Sequence, residues 1–213
     1  MTSPLVRFHD RRVILPPRFC GSVGYYALMS AYGNITVDHD MPFNKRQKET
    51  HRTTIADTRG TLTLTVPVAK PVSMTAARWK DIKVSTHGQW WDKMLTALES
   101  AYGRTPYFEF YIDRFAPFFT PRHENECETI THLDAAIDSV IRGILGIPQD
   151  TPVNDNDIID DFRHPPLPHF KTAEYYQVRQ DSLGFIPGLS ILDLIFNMGP
   201  ESPIVLQRMT RCL

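Results

Sequence analysis

The chain has 213 residues, of which 42% are hydrophobic and 22% charged, so it can bury a sizeable core. We therefore expect a single domain over residues 1–213. The formal net charge of −1 argues against nucleic-acid binding over the whole surface. The longest apolar runs, such as residues 188–196, fall far short of the roughly 20 residues needed to cross a bilayer, so no membrane span is predicted.

The cysteines and the first residues of the chain indicate the cellular compartment of the protein. Cys20, Cys127 and Cys212 are odd in number and widely spaced, without the C-x-x-C pair typical of metal or redox sites. This usage favours a reducing compartment. Residues 1–17 carry several arginines ahead of a short apolar run, and no small-residue cleavage pattern follows. We therefore expect a cytoplasmic protein.

The opening of the chain alternates strand and helix. Residues 12–16 predict a short strand that ends at a proline pair, residues 22–32 a helix, and residues 35–38 a second strand. This β-α-β order is typical of α/β folds, in which helices pack against a parallel sheet. It predicts a Rossmann-like start.

A β-hairpin follows. Residues 53–56 and 61–67 alternate β-branched and apolar side chains, and the turn residues 57–60 lie between them. The alternation of Ile82 and Val84 predicts a further strand over residues 80–86.

After residue 85 the apolar period becomes helical. Helices are predicted over residues 88–102, 107–119, 126–145, 190–198 and 201–209. Residues 148–172 hold five prolines and show almost no periodicity, which predicts a long loop. The expected fold class is therefore α/β or α+β, with a β-α-β start, a β-hairpin and a helical carboxyl-terminal half.

Charge is unevenly distributed. The segment from Lys45 to Arg52, here called the basic segment, has only Glu49 against its cations, whereas residues 121–161 hold ten acids against two arginines. Such an acidic run is commonly a solvated face. The basic segment follows the second predicted strand, at the edge where open α/β sheets bind ligands. We predict a phosphate or carboxylate site made by Lys45, Arg46, Lys48 and Arg52.

Acid–base groups lie nearby in sequence. His51 and His87 are the best candidates, because imidazole titrates near neutrality and both adjoin polar strand ends. Asp38 and Asp40 would orient a hydroxyl or an amine. A non-functional interpretation stays open, in which the basic segment is an exposed loop paired with these carboxylates. The eight histidines lack metal-ligand spacing, so no metal site is predicted, and the cofactor is unknown.

Other residues allow two interpretations. Trp91 is predicted to be in the core, whereas Trp90 and Trp79 are predicted to line a cleft in which Trp90 stacks on a sugar or base. Cys20 lies in the first strand-to-helix turn, where a thiol either gains a lowered pKa or is buried as a small apolar residue. Asp193, among apolar residues, is predicted to be a hydrogen-bonding anchor. No dinucleotide, P-loop or serine-hydrolase motif occurs.

Several segments together resemble the WbqC-like family. They are residues 15–17, 24–28, 37–38, 43–52, 64–67, 80–83, 98–102, 105–108 and the closing signature 185–199, which is the most specific. The resemblance covers nearly the whole chain. Family members commonly carry an Arg-Asn-Arg type run where this chain has Arg52-Thr53-Thr54, so only Arg52 carries over. A Gly-rich segment of longer relatives is replaced by the Pro-rich loop.

The resemblance implies a function class. Members are often associated with gene clusters for O-antigen and other surface polysaccharides, which implies a transferase or modifying enzyme acting on a phosphate-bearing activated sugar precursor. The alternative is a non-catalytic anion-binding or assembly protein that uses the basic segment for one partner and the acidic residues 121–161 for another. The enzyme needs its cations in a concave pocket, whereas the binding protein needs them on a convex surface. The oligomeric state is left open.

Overall fold

The fold begins with a parallel β-α-β unit, as predicted. In this computed structural model the described residues are 8–120, 129–164, 167 and 170–211. The first elements are strand β1 (Phe8–Leu15), helix α1 (Val23–Ser30) and strand β2 (Tyr32–Val37). Val13 of β1 lies opposite Ile35 of β2, and Leu15 lies opposite Val37. All four are buried, so the core begins at this strand pair.

The third strand of the sheet lies within the predicted Pro-rich loop. Strand β5 (Ile158–Asp161) pairs in parallel with β1, which gives the order β2-β1-β5. Four residues are too few to show alternation. Their position depends on distant arginines, since Arg11 binds Asp160 and Arg12 donates to Asp157 Oδ2 at 2.6 Å. The loop prediction, which covered residues 148–172, was therefore wrong for these four residues and for residues 170–171, which also form a strand.

The predicted hairpin is confirmed, and the strand predicted after it is not. Strands β3 (Arg52–Asp57) and β4 (Gly60–Thr65) pair antiparallel. The segment predicted as a strand over residues 80–86 instead begins in a 3-10 turn, Trp79–Asp81. Its backbone then forms only isolated bridges, Lys83 with Thr129 and Val84 with Val68. Single-residue pairing of this kind gives local alternation without a regular strand.

Helices dominate the second half of the chain, as predicted. They are α2 (Trp90–Tyr102), α3 (Phe108–Phe115), α4 (Ile130–Leu145), the short α5 (Gln180–Leu183), α6 (Ile191–Met198) and α7 (Ser202–Arg208). A small antiparallel pair, β6 (Phe170–Lys171) and β7 (Thr210–Arg211), completes the order. Several residues singled out above lie outside the described part: 126–128, including Cys127, together with Pro165, Pro166, Pro168 and Cys212.

Helix α6 is the centre of the helical half. The ring of Phe196 contacts the rings of Tyr102, Phe108 and Phe115, which joins α2 and α3 to α6. Burial of these large side chains supplies most of the packing energy there. Within the described residues, no helix has both the length and the apolar character needed to cross a membrane.

Candidate functional site

A pocket of about 410 Å³ opens where β1 ends and two helices begin. Its walls are the turn over residues 18–22, the start of β3 and residues 188–190. Ser22 caps α1 and Ser190 caps α6, each accepting a hydrogen bond from a backbone N–H of the first helical turn. Ser22 and Ser190 also face each other in an isolated antiparallel bridge. We call this space the outer pocket.

Two arginines line the outer pocket. Arg18 follows β1 and Arg52 begins β3, and the Nε atom of each is buried without a hydrogen-bond partner among the described residues. Arg18 Nη1 forms an ion pair of 2.8 Å with Oε2 of Glu49, whose side chain is mostly exposed. The amino-terminal ends of α1 and α6 add the positive ends of two helix dipoles. The pocket is therefore electropositive and suited to an anion.

The turn that forms the pocket floor is rigidly held. Cys20 adopts a φ of 43°, and its carbonyl oxygen accepts hydrogen bonds from Thr53 Oγ1 at 2.8 Å and Ser190 Oγ at 3.0 Å. A Cβ on Gly21 would lie 2.7 Å from Tyr25 Cδ1, so the close approach requires glycine. Burial raises the pKa of the Cys20 thiol well above its usual value. Of its two interpretations, the structure favours the buried apolar residue.

Only one cation of the basic segment reaches the outer pocket. Arg52 lines it, whereas Lys45, Arg46 and Lys48 are exposed and are not part of its lining. The reason is local: the segment runs through turns and the 3-10 turn Lys48–Thr50, while Arg52 belongs to β3. The second arginine, Arg18, was missed because it lies far from the basic segment in sequence.

The predicted orienting carboxylates are held by other cations. Asp38 Oδ2 accepts a hydrogen bond of 2.8 Å from Arg163 Nη1. Asp40 lies 2.7 Å from Lys80 Nζ and 3.1 Å from Arg78 Nη1, and the Lys80 hydrogen bond lowers the pKa of Asp40. Neither aspartate lines the outer pocket.

The predicted histidines also lie elsewhere. His51 is half-buried with Nδ1 at 3.1 Å from the carbonyl oxygen of Val66, and burial lowers the pKa of His51. His87 is exposed beyond β4. The structure therefore brings neither imidazole to the pocket wall.

The tryptophan prediction was wrong. Trp79 and Trp90 are 1% and 6% exposed, whereas Trp91 is only half-buried. Helix α2 begins at Trp90, and its buried residues include Trp90, Met94, Leu98 and Tyr102, so its first turn buries Trp90 rather than Trp91. Trp90 donates from Nε1 to a backbone oxygen at 3.0 Å, and its ring is buried in the core.

A second and narrower space lies behind Arg18. It is lined by Pro17, Arg18, Tyr25, Val37, His39, Asp134 and Asp138. The space between these side chains is about 170 Å³, and it is too tight to admit a water molecule in this conformation. Arg18 and Tyr25 line both this space, which we call the inner cleft, and the outer pocket.

The two aspartates of the inner cleft have different environments. Asp138 accepts a hydrogen bond of 2.7 Å from the Tyr26 hydroxyl and forms a 2.6 Å ion pair with Arg142 Nε. Asp134 has neither oxygen hydrogen-bonded among the described residues. Burial, and then the charge of Asp138, raise the pKa of Asp134 well above its usual value. His39 Nδ1 is likewise unpartnered, and burial lowers the pKa of His39.

Sequence reasoning missed Asp134 because the acidic run 121–161 was interpreted as a solvated face. A signal was present: Asp134 follows Ile130 by four residues and precedes Ile137 by three, which places it on the buried stripe of α4. In the described part of the chain, no three side chains among His, Cys, Asp and Glu form a group able to hold a metal ion.

Comparison with known proteins identifies the family. The model of the WbqC-like protein family matches residues 17–161. No curated protein and no solved structure matches the chain. The matched region contains both arginines of the outer pocket and both aspartates of the inner cleft. Because the match covers more than half of the sequence, the chain belongs to the WbqC-like protein family.

Proposed function

We propose that this protein is a transferase or other modifying enzyme that binds a phosphate-bearing activated sugar precursor in the outer pocket. The observation that carries the proposal is the convergence of two unpartnered arginine Nε atoms and two helix amino termini on one space. Membership of the WbqC-like family supports a role in O-antigen or other surface-polysaccharide synthesis, and we propose that this role is cytoplasmic.

The outer pocket has the size and polarity of a small-molecule site. Its volume of about 410 Å³ lies within the usual range for ligand pockets, roughly 300–1,000 Å³. Arg18 and Arg52 would bind phosphate oxygens through paired N–H groups. The hydroxyls of Ser22, Thr54 and Ser190 lie in the same wall and add neutral partners for a sugar.

Glu49 is the candidate acid–base group of the outer pocket. It is the only carboxylate among the described residues that line the outer pocket, and it forms an ion pair with Arg18. A phosphate would displace this carboxylate from Arg18. The released Glu49 side chain would then be available as the acid–base group that the distant histidines do not supply.

Isothermal titration calorimetry with glucose 1-phosphate and a nucleotide sugar, UDP-glucose, tests the proposal. Arg18→Ala and Arg52→Ala should each weaken binding by about 10- to 100-fold, the usual effect of losing charge-assisted hydrogen bonds. Lys45→Ala is the matched control, because it removes a cation from the same region outside the pocket. Absence of binding to the unaltered protein, or an equal loss in Lys45→Ala, would refute the proposal.

A non-catalytic binding protein is the second candidate. The exposure of Lys45, Arg46 and Lys48 favours it, since these cations form a surface for an anionic partner. The acidic surface it requires is weaker, because Asp134 and Asp138 are turned into the protein. This candidate predicts that replacing the three exposed cations abolishes partner binding while Arg52→Ala leaves it intact.

A further inference from the structure

The inner cleft contains a carboxyl group whose burial is uncompensated. Asp134 is 2% exposed, and neither of its oxygens has a hydrogen-bond partner among the described residues. Buried polar atoms in folded proteins are hydrogen-bonded in the great majority of cases, because an unmet group loses its hydration without replacement. A group left in this state at the wall of a cavity is available to a ligand.

The nearby arginines form their ion pairs with carboxylates other than Asp134. Arg142 Nε lies 2.6 Å from Asp138 and Arg142 Nη1 lies 2.7 Å from Asp150. Arg18 Nη1 is held by Glu49 at 2.8 Å. Two aspartates therefore share one arginine, and Asp134 has no positive partner. The charge that would complete the inner cleft is a cation.

Packing gives no reason for an acid at this position. Asp134 occupies the buried stripe of α4 between Ile130 and Ile137, where an apolar side chain would fill the space without an electrostatic cost. The residue makes no hydrogen bond that joins two elements of the fold, unlike Asp138, which links Tyr26 of α1 to α4.

The inner cleft adjoins the outer pocket through shared walls. Arg18 and Tyr25 face both spaces, so movement of the Arg18 side chain toward a bound phosphate would widen the inner cleft. The narrowness of the cleft excludes a ring and selects a small head group. In this conformation the cleft has no room for a ligand, so binding depends on that movement of Arg18, and an ammonium group then supplies the positive charge that Asp134 lacks.

We propose that Asp134 binds the amino group of the substrate whose phosphate lies on Arg18 and Arg52, so that the substrate class is an amino-sugar phosphate or its nucleotide derivative. This inference rests on the proposed function of the outer pocket. Burial raises the pKa of Asp134, and the pairing of an ammonium group with the carboxylate favours the ionised form, so a proton held by the carboxyl leaves to solvent when the amine binds.

Calorimetry with a matched pair of ligands tests this inference. Glucosamine 1-phosphate and glucose 1-phosphate carry the same phosphate and differ in an amine against a hydroxyl. The unaltered protein should bind the amino ligand about tenfold or more tightly, and titration in two buffers of different ionisation enthalpy should show a proton release that glucose 1-phosphate does not cause. Asp134→Asn should abolish both the preference and the proton release.

Asp113→Asn is the control, because it makes the same chemical change on an exposed residue of α3. Asp134→Ala serves as a second variant, and thermal unfolding of each variant checks that it is folded. Equal binding of the two ligands, or a preference that survives in Asp134→Asn, would overturn the amine assignment while leaving the outer pocket intact. Failure of both ligands to bind the unaltered protein would overturn the proposed function and this inference together.

Discussion

Two buried charged side chains near the same parallel sheet differ in how their polar atoms are satisfied. Arg12 is 1% exposed and donates hydrogen bonds of 2.6–2.9 Å to Asp157, Thr36 and the 151–152 backbone. Asp134 is as deeply buried and accepts none from the described residues. The first side chain fixes the position of a chain segment. The second has no hydrogen-bond partner within the described residues, which is why we assign it to a ligand.

The largest effect on stability should come from removing Arg12, the buried side chain whose polar atoms are hydrogen-bonded. Arg12→Ala should lower the free energy of unfolding by about 3–5 kcal/mol, because it leaves buried oxygens without their donor. It should also release residues 151–157 from β1, since Arg12 holds that segment. Urea denaturation measures the first effect and hydrogen exchange the second. A loss below about 1 kcal/mol would show that the Arg12 hydrogen bonds are not structural.

Asp193 is a buried carboxylate that does accept hydrogen bonds, and disturbing it should have an effect of intermediate size on stability. Asp193 Oδ2 accepts hydrogen bonds from the Tyr175 hydroxyl at 2.7 Å and from Gln177 at 3.1 Å, which confirms its predicted role as an anchor. Tyr175→Phe should lower the free energy of unfolding by about 1–3 kcal/mol, because Asp193 keeps its burial and loses a donor. Tyr176→Phe is the matched control on an exposed neighbour and should have no effect. An equal loss of unfolding free energy in the two variants would contradict the view that the Tyr175 hydroxyl stabilises the buried Asp193.

Replacing Asp134, which has no hydrogen-bond partner among the described residues, should change the free energy of unfolding by a smaller amount and in the opposite direction. At pH 7 Asp134→Asn should leave the free energy of unfolding unchanged or raise it by about 1 kcal/mol, because no native hydrogen bond is lost. Urea denaturation of both proteins measures this difference. A loss above about 1 kcal/mol would show that Asp134 has a structural partner.

The difference in unfolding free energy between Asp134→Asn and the unaltered protein should depend on pH. Burial raises the pKa of Asp134 in the folded protein above its unfolded value of about 3.9. Below about pH 4 the carboxyl is protonated in both states and contributes no difference. As the pH rises, the unfolded chain ionises first, so the unaltered protein loses stability relative to Asp134→Asn. Asp138, His39 and Arg18 face the same cleft in both proteins, and the difference between the two therefore isolates Asp134.

Local patterns were sufficient to predict most of the fold. The hairpin β3–β4 and the helix α4 follow from side-chain spacing within a few residues, and the structure contains both. Strand β5 did not follow, because its place depends on contacts of Arg11 and Arg12 with residues about 145 positions away. In helix α2 the prediction buried Trp91 instead of Trp90, because the position of the first turn decides which of the two tryptophans faces the core.

The candidate site was less predictable than the fold. Arg52 was recognised because it belongs to a dense run of cations, whereas its partner Arg18 is isolated in sequence. Ser190 comes from the other end of the chain and meets Ser22 only after folding. Local charge density therefore identified the region, and the convergence of distant turns defined the pocket.

The smallest effect should come from the exposed part of the basic segment. The triple variant Lys45→Ala, Arg46→Ala and Lys48→Ala should change the free energy of unfolding by less than about 0.5 kcal/mol, because water already surrounds these side chains. Affinity for glucose 1-phosphate should fall less than about threefold at physiological salt, where charges outside the pocket are screened beyond roughly 8 Å. Calorimetry at low and physiological salt checks this. A larger loss that persists at physiological salt would place the anion on the exposed segment, and the distinction between exposed cations and the Arg18–Arg52 pair would fail.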